Sequence, residues 1–348
     1  AQLLGTAMAV VDNLHLTADD TGYSPLPLWH INGLVVGVLS AAVAGSRLVV
    51  DRRFSRRAFW PVVDHEAVTW VNLVPAIITV LANSGGDPAP GGSGHHGDAG
   101  FAALGASRVR LARSASAPLA PAVRERFENR YGIPVVETYG MTEAASQITA
   151  NPLGACRPGS VGLPAGLELR VVDRGGRPLP VGEAGGVQIR GPRVTSWYWD
   201  PGAGGSQRPA TGPGGWLNTG DVGWLDDDGY LFLVGREDDV INRGGEKVQP
   251  REVEDLLLAD RRVMAAAVVG RPHPTMGEEP VAYVIASPDA GDPARLVADL
   301  EARAAQTLSR FKRPAEIIVA PTLPAGPTGK IRRSAVKSLA AATTEGRS

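Results

Sequence analysis

Cysteine is almost absent from this chain. Among 348 residues there is one, Cys156, which excludes an internal disulfide and any zinc cluster built on cysteines. We interpret Cys156 as a structural thiol. A chain with so little cysteine fits the reducing cytoplasm, and this is where we expect the protein to act.

The sequence also lacks an excess of charge of either sign. It has 35 Lys and Arg against 36 Asp and Glu, for a formal net charge of -1. Without a basic field, nucleic acid is disfavoured as a partner. A small molecule or a neutral protein surface is favoured instead.

Long apolar runs are missing as well. The longest, Leu34 to Ala44, is interrupted by Gly37 and Ser40 and falls well short of the roughly 20 residues that a spanning helix needs. We therefore predict no membrane span. The first residues, from Ala1 to Leu4, include neither an initiating Met nor a basic stretch, so we expect a chain that starts within a longer one rather than at a signal peptide.

The hydrophobic content of 43% over 348 residues is enough for two cores, and the length suggests about two domains. Strands and helices alternate in the first part of the chain, which is typical of a parallel α/β layer. The segments that carry this alternation are a strand at Gly45–Val50, a helix at Phe54–His65, a strand at Thr69–Pro75 and a helix at Ala76–Ala82.

The pattern changes after Asp238. An amphipathic helix begins at Pro250, strands follow at Ala265–Val269 and Pro280–Ala286, and a second helix covers Ala294–Leu308. This is an α+β unit of about 100 residues, an ordinary domain size. We predict an N-terminal domain at 1–237, a C-terminal domain at 238–337 and a frayed tail at 338–348.

A segment from Asn83 to Gly100 is rich in Gly, Pro and Ser and predicts a surface loop. It contains His95 and His96. Adjacent side chains rarely converge on one metal ion, and no acidic cluster surrounds the pair, which disfavours a metal site.

The segment from Gly215 to Pro250 contains a hairpin signal, because Asp226 and Gly229 precede an aromatic and β-branched run. Asp221 and Arg236 then flank the hairpin. A carboxylate accepts hydrogen bonds from a ribose diol, and a guanidinium can hold the same sugar from its other side. The alternative is a partly exposed ion pair with no ligand.

The segment Tyr139-Gly140-Met141-Thr142-Glu143 follows a predicted strand and carries an aromatic ring, a hydroxyl and a carboxylate. A nucleoside phosphate needs these groups: a face for the base, a donor for a phosphate oxygen and an oxygen ligand for Mg²⁺. The alternative is that Glu143 only places negative charge at a helix N-terminus.

Taken together, these segments resemble the adenylate-forming (AMP-binding) superfamily, which includes acyl-CoA synthetases, coumarate-CoA ligases, luciferases and the adenylation domains of peptide synthetases. The match covers essentially the whole chain and is complete over Tyr139–Glu143 and over Pro324–Arg333. The pattern is most similar to the oxalate-CoA ligase-like branch. The resemblance implies an α/β fold, with a large, partial N-terminal α/β domain, an appended small β-barrel and a small α+β C-terminal domain.

The resemblance also implies a role for each matched residue. Lys330, Thr142 and Glu143 would be catalytic, with Glu143 also the Mg²⁺ ligand, and Asp238 would be the hinge between the domains. The residues implied to bind ATP or AMP are Ser114, Ala115, Ser116, Ala117, Pro118, Thr138, Tyr139, Gly140, Met141, Thr142, Asp221 and Arg236. Those implied to lie at the acyl and thiol site are Trp29, His30, Gly244, Gly245 and Lys247. Without the resemblance, His30 would be interpreted as a core histidine.

The implied reaction joins a small carboxylic acid to AMP from Mg-ATP and then transfers the acyl group to a thiol, either coenzyme A or the phosphopantetheine of a carrier protein. A third hypothesis is a non-catalytic nucleotide-binding protein. The superfamily's Gly/Ser/Thr-rich phosphate loop normally precedes the segment that begins at Ala1, and it is absent from this chain. We therefore expect residues 1–348 alone to bind adenine nucleotide weakly and to be inactive as a ligase.

Overall fold

The computed structural model describes residues 1–83, 106, 108–203, 205–326 and 329–345. Two compact units account for them: one contains Ala1–Pro75, Gly85–Leu119 and Glu128–Leu233, and the other Ala76–Ser84, Ala120–Phe127 and Val234–Ser348. His95 and His96 of the predicted loop lie outside the described residues.

The helices largely follow the apolar periodicity of the sequence. They are the α-helices Gln2–Leu14, Ser40–Ala44, Arg56–His65, Pro75–Ala82, Pro121–Tyr131, Pro250–Leu258, Pro293–Thr307 and Arg333–Glu345, and a π-helix, Asn32–Leu39.

Most strands are short, and the two longest, Val263–His273 and Gly277–Ala286, belong to the second unit. They are β1 (Thr21–Ser24), β2 (Arg47–Val50), β3 (Trp70–Leu73), β4 (Leu111–Ser114), β5 (Val135–Tyr139), β6 (Thr149–Ala150), β7 (Leu163–Pro164), β8 (Glu168–Val172), β9 (Gly185–Arg190), β10 (Trp197–Asp200), β11 (Ser206–Pro209), β12 (Leu217–Leu225), β13 (Leu231–Arg236), β14 (Ile241–Arg243), β15 (Glu246–Val248), β16 (Val263–His273), β17 (Gly277–Ala286) and β18 (Glu316–Val319).

A seven-stranded sheet forms the centre of the first unit, in the order β2-β1-β3-β4-β5-β6-β7. Strands β1 to β5 are parallel, and β6 and β7 are added antiparallel. Val10 and Leu14 of the first helix pack with Val36, Trp70 and Leu111 in a buried cluster. The predicted parallel α/β layer is confirmed, and the carboxyl ends of β3, β4 and β5 meet at one edge, where open α/β sheets bind ligands.

A second sheet of the chain has the order β13-β12-β9-β8. Its pairs β8–β9 and β9–β12 are antiparallel, and β10 and β11 form a separate two-stranded ladder. Within the described residues these strands make an open sheet and a ribbon rather than the small β-barrel expected from the resemblance. The predicted hairpin is present: Asp226 accepts hydrogen bonds from the amides of Asp228 and Tyr230, and Gly229 has a φ of 83°.

The apolar segment that contains Gly33 forms a π-helix, Asn32–Leu39, before it becomes α-helical at Ser40. A side chain at Gly33 would place its Cβ 2.4 Å from the carbonyl oxygen of Pro27. The helix therefore starts against the backbone that precedes it, and only glycine fits there.

The second unit is built on a sheet in the order β15-β14-β17-β16, with β18 parallel to β17. Val253, Leu257, Leu296 and Leu300 of two helices are buried against it. Residues 338–345 continue the helix Arg333–Glu345 instead of fraying as expected. The reason is that Val336 and Ala340, four residues apart, are both fully buried against β16 and β17.

Candidate functional site

The turn after β4 contains the first group of predicted nucleotide-binding residues. Ser114 ends the strand, the amide of Ala115 donates to the carbonyl of Leu73, and Ser116 has a φ of 76°. A positive φ at a residue with a side chain is uncommon and is often found at functional sites. Ala117 is half-buried and Pro118 is exposed, so the turn presents small groups at the strand end.

The loop after β5 is held tightly by its own backbone. The amides of Ala144 and Ser146 both donate to the carbonyl of Met141, and a Cβ at Gly140 would lie 1.3 Å from the carbonyl oxygen of Ser146. Only glycine permits this approach. The loop leaves Thr142 exposed and Glu143 half-buried, and Thr138 anchors its start by donating to the carbonyl of Ser114.

Two side-chain hydrogen bonds fix the loop to the rest of the first unit. The Tyr139 hydroxyl donates to Oδ2 of Asp221 at 2.5 Å, and the Tyr198 hydroxyl donates to Oε1 of Glu143 at 3.2 Å. Burial together with the charge of Glu143 raises the pKa of Tyr198, so this hydroxyl stays a donor at neutral pH. The structure thus brings the Tyr139–Glu143 loop together with Asp221 and Tyr198, which lie far from it in sequence.

A buried polar network lies beneath the turn after β4. Arg113 donates from Nη1 to the side-chain oxygens of Asn32 at 3.0 Å and Asn72 at 3.2 Å, and from Nη2 to that of Gln147 at 3.3 Å. Asn32 in turn donates to the Ser116 hydroxyl at 3.3 Å. The network therefore connects the middle of the sheet to the predicted nucleotide-binding turn.

Trp29 and His30 precede the π-helix, as predicted for the acyl and thiol site. The indole of Trp29 is 76% exposed. His30 is half-buried, and its Nδ1 accepts from the amide of Asn32 at 3.2 Å. His30 is thereby attached to the same network that reaches Ser116.

The remaining predicted residues belong to the second unit. Arg236 is the last residue of β13 and is exposed, and Asp238 is exposed in a short turn, Glu237–Asp239. Whether Arg236 shares a ribose with Asp221 stays a prediction, and so does the hinge at Asp238.

Gly244 and Gly245 form the turn between β14 and β15, with φ values of 60° and 92°, and Lys247 is exposed on β15. Lys330 is also exposed. It lies in a small antiparallel loop closed by an Ala325–Ile331 bridge, in which the amide of Gly326 donates to the carbonyl of Lys330 at 2.8 Å.

Glu143 suits a magnesium ion that is also held by substrate phosphates. One of its oxygens accepts from Tyr198, which leaves the other for a metal. Mg²⁺ in nucleotide sites takes one or two carboxylates and fills its octahedron with water and phosphate oxygens. In the part of the chain that the structure describes, no cluster of three or more His, Cys, Asp or Glu could hold a metal by itself.

Comparison with known proteins identifies the chain. Residues 1–199 match the AMP-binding enzyme family, and residues 252–330 match the C-terminal domain of AMP-binding enzymes. The chain belongs to the AMP-binding enzyme family. The resemblance inferred from the motifs is therefore confirmed, and so is the two-part α/β fold.

Among relatives of this AMP-binding chain, a sulfoacetate–CoA ligase of Cupriavidus necator is 41% identical over 90% of this chain and 58% of its own length. An oxalate–CoA ligase of Arabidopsis thaliana is 36% identical over 92% of this chain and 60% of its own length. The chain thus spans somewhat less than two thirds of these relatives.

A solved structure of the anthranilate CoA ligase AuaEII in complex with anthranoyl-AMP matches with a TM-score of 0.85 and 28% identity, over 99% of this chain and 64% of that one. ATP-bound MatB from Rhodopseudomonas palustris matches with a TM-score of 0.82 and 28% identity, over 97% and 63%.

The sequence motifs reveal neither the network around Arg113 nor the contact of Tyr198 with Glu143. The sequence does contain a signal for the Arg113 network. Strands of a parallel sheet are usually continuous apolar runs, yet Asn72 and Arg113 interrupt two of them. The two residues are register partners on β3 and β4. No local pattern connects Tyr198 to Glu143, which lies 55 positions earlier.

No helix in the described ranges is long and apolar enough to cross a lipid bilayer.

Proposed function

We propose that the protein containing this chain is an AMP-forming acid–CoA ligase. The observation that carries the proposal is the loop Tyr139–Glu143, which matches the adenylate-forming motif completely and is pinned by Tyr139 to Asp221 and by Tyr198 to Glu143. These bonds hold an aromatic ring, a hydroxyl and a carboxylate in fixed positions, and catalysis by positioning depends on such rigidity.

In the first half-reaction the substrate carboxylate attacks the α-phosphorus of ATP and pyrophosphate leaves. Thr142, which is exposed, donates to the α-phosphate, and Asp221 and Arg236 bind the ribose. Glu143 would hold a Mg²⁺ ion, which would supply positive charge to the phosphates. Lys330 supplies positive charge to the developing oxyanion. No side chain acts as a nucleophile, so the rate comes from orientation and charge stabilisation.

In the second half-reaction the CoA thiol attacks the acyl carbonyl and AMP leaves. The second unit then exchanges Lys330 for the Gly244–Gly245 turn by rotation at Asp238, whose exposed position in a short turn permits a change in backbone angle. Trp29 and His30 line the acyl and thiol side.

The acceptor we propose is coenzyme A, because the named relatives are CoA ligases. A carrier protein as acceptor is not favoured by them. The acids that those relatives use, sulfoacetate and oxalate, suggest a short acid as substrate here, and the cytoplasm, which holds ATP and CoA, as the place of reaction.

ATP–pyrophosphate exchange with a panel of short and aromatic carboxylic acids tests the proposal. It is measured on residues 1–348 and on the same chain with whatever residues its gene encodes before Ala1. We expect acid-dependent exchange by the longer protein and acyl-CoA formation when CoA is added. Nucleotide binding with no exchange for any acid would favour the non-catalytic alternative.

A further inference from the structure

Arg113 is a fully buried cation whose hydrogen-bond partners are all neutral. It is 1% exposed, and within the described residues it donates only to the neutral amide oxygens of Asn32, Asn72 and Gln147. By contrast, Arg271 and Arg333 of the second unit each pair with two carboxylates. A buried charge is normally paired, because removing it from water is costly.

Burial lowers the pKa of Arg113 to about 9. The side chain therefore remains protonated at neutral pH, and the interior of the first unit contains a positive charge that is solvated only by amide dipoles. Such a charge raises the affinity of the surrounding site for an anion.

Two donors in this network have no hydrogen-bond partner. Nε of Arg113 and Nε2 of Gln147 are both buried and unpaired among the described residues, and the two side chains are bonded to each other through Nη2 and Oε1. Unpaired buried donors carry a desolvation cost. An occupant that offers only acceptor oxygens, such as a carboxylate or a sulfonate, satisfies both donors at once.

The network also reaches the proposed substrate site. Asn32 accepts from Arg113, donates to the Ser116 hydroxyl, and contacts His30 through its backbone amide. An acid whose reacting carboxylate lies near Ser116 and His30 would have its far end directed towards Arg113. Asn32 bonds to both the Ser116 hydroxyl and Arg113, so the two lie within one side chain of each other, and an acid that spans them has only a few atoms.

We propose that Arg113 and Gln147 form the recognition site for a second acidic group, so that the protein selects short acids with an additional carboxylate or sulfonate. This inference rests on the proposed ligase function and adds the substrate class. Arg113 is a specificity-determining residue in it: its guanidinium binds the group that does not react.

The test is the ratio of kcat/KM for bifunctional acids to that for monocarboxylates. The assay is ATP–pyrophosphate exchange by the protein with all residues its gene encodes before Ala1, with oxalate, malonate and sulfoacetate against acetate and propionate. Losing one partner of a buried charge pair typically weakens binding by at least about 30-fold. We therefore expect Arg113→Met to lower this ratio by about 100-fold. Arg113→Lys keeps the charge but not the planar fork, and about tenfold is expected.

Arg193 provides a matched control. It is also buried, donates to the Thr6 hydroxyl, has an unpaired Nη2 among the described residues, and has a pKa lowered by burial. Arg193→Met is therefore expected to lower thermal stability without changing the ratio. If Arg113→Met does not fold, Arg113→Lys and Gln147→Met give the same readout, the latter with a smaller fall in the ratio.

An unchanged ratio in folded Arg113 or Gln147 variants, or equal use of both acid classes by the unaltered protein, would overturn the inference while leaving the ligase function intact. Failure of the unaltered protein to activate any acid would remove the ligase function and the inference together.

Discussion

The two units hold their predicted site residues in different ways. In the first unit, hydrogen bonds tie Tyr139, Glu143 and Ser116 to residues distant in sequence, and His30 to the nearby amide of Asn32. In the second, Lys330 and the Gly244–Gly245 turn lie on exposed loops closed mainly by backbone hydrogen bonds. The difference agrees with the proposal that the first unit holds the nucleotide and the second presents groups that act at different steps.

The largest effect is expected for Lys330→Ala. Adenylate formation should fall about 10²–10³-fold, because a preorganised charge is lost from the developing oxyanion. Thermal stability should not change, since Lys330 is exposed. Thiolysis of supplied acyl-adenylate, followed by release of AMP, should stay near the unaltered rate.

Lys337→Ala is the control, because this lysine is exposed as well and pairs with Glu278. Equal loss in both half-reactions of Lys330→Ala would contradict the role assigned to Lys330.

Gly140→Ala should mainly lower the stability of the protein, whereas Lys330→Ala should mainly lower the rate of adenylate formation. The new Cβ would meet the carbonyl oxygen of Ser146 at 1.3 Å, and the forced movement of the loop should cost about 3 kcal/mol in the free energy of unfolding. Chemical denaturation measures this. Gly212→Ala is the control, since its φ is -87° and a Cβ there would have its nearest neighbour at 3.8 Å; an equal cost in both variants would show that the close approach does not matter.

Tyr139→Phe tests the bond that pins the loop. Removing a hydrogen bond to a carboxylate typically costs about 1.5–3 kcal/mol, and we expect about 1.5 kcal/mol here because Tyr139 is only half-buried. The KM for ATP should also rise in this variant. Tyr230→Phe removes a bond to the neutral carbonyl of Ala155 and should leave the KM for ATP unchanged. A rise of the same size in both would argue against a specific role for Tyr139.

The smallest effect is expected from the titration of one carboxylate in the second unit, Asp255. Burial raises the pKa of Asp255 to about 6, against the attraction of Arg251. The folded state then holds its proton more tightly than the unfolded state, so the contribution of Asp255 to stability is greatest below pH 4 and is lost as the pH rises towards 6. Because the side chain is 29% exposed, solvent screening should limit the loss to about 1 kcal/mol.

Asp255→Asn should abolish this loss, which denaturation of the variant and the unaltered protein at pH 4 and pH 7 can measure. The same difference between the two pH values in both proteins would contradict the raised pKa.

Much of the fold was predictable because its signals are local. The strand β3 and the helix Arg56–His65 follow from short runs of apolar and β-branched residues and from helical periodicity. The motif at Tyr139–Glu143 likewise needs only neighbouring residues to be recognised. Its partners Asp221 and Tyr198 could not be predicted in this way, because a hydrogen bond across 82 or 55 positions leaves no signal in the local sequence pattern.

The errors have the same cause. The expected barrel depended on how β8, β9 and β12 pair, and the expected tail depended on whether Val336 and Ala340 find a surface to cover. Both are decided by contacts between distant segments. The buried network at Arg113 was marked in the sequence by polar residues in two strands, but their partners Asn32 and Gln147 could be assigned only from the fold.

The π-helix Asn32–Leu39 makes the position of Asn32 sensitive to the number of residues in the segment. A turn that closes over five residues is one residue longer than an α-helical turn, so deleting one residue between 33 and 39 would convert the segment into regular α-helix. Because each α-helical residue rotates by about 100°, Asn32 would turn away from Arg113 and Ser116, even though no residue that contacts either of them had been replaced. The length of this segment therefore matters as much as its composition for keeping Asn32 in contact with Arg113 and Ser116.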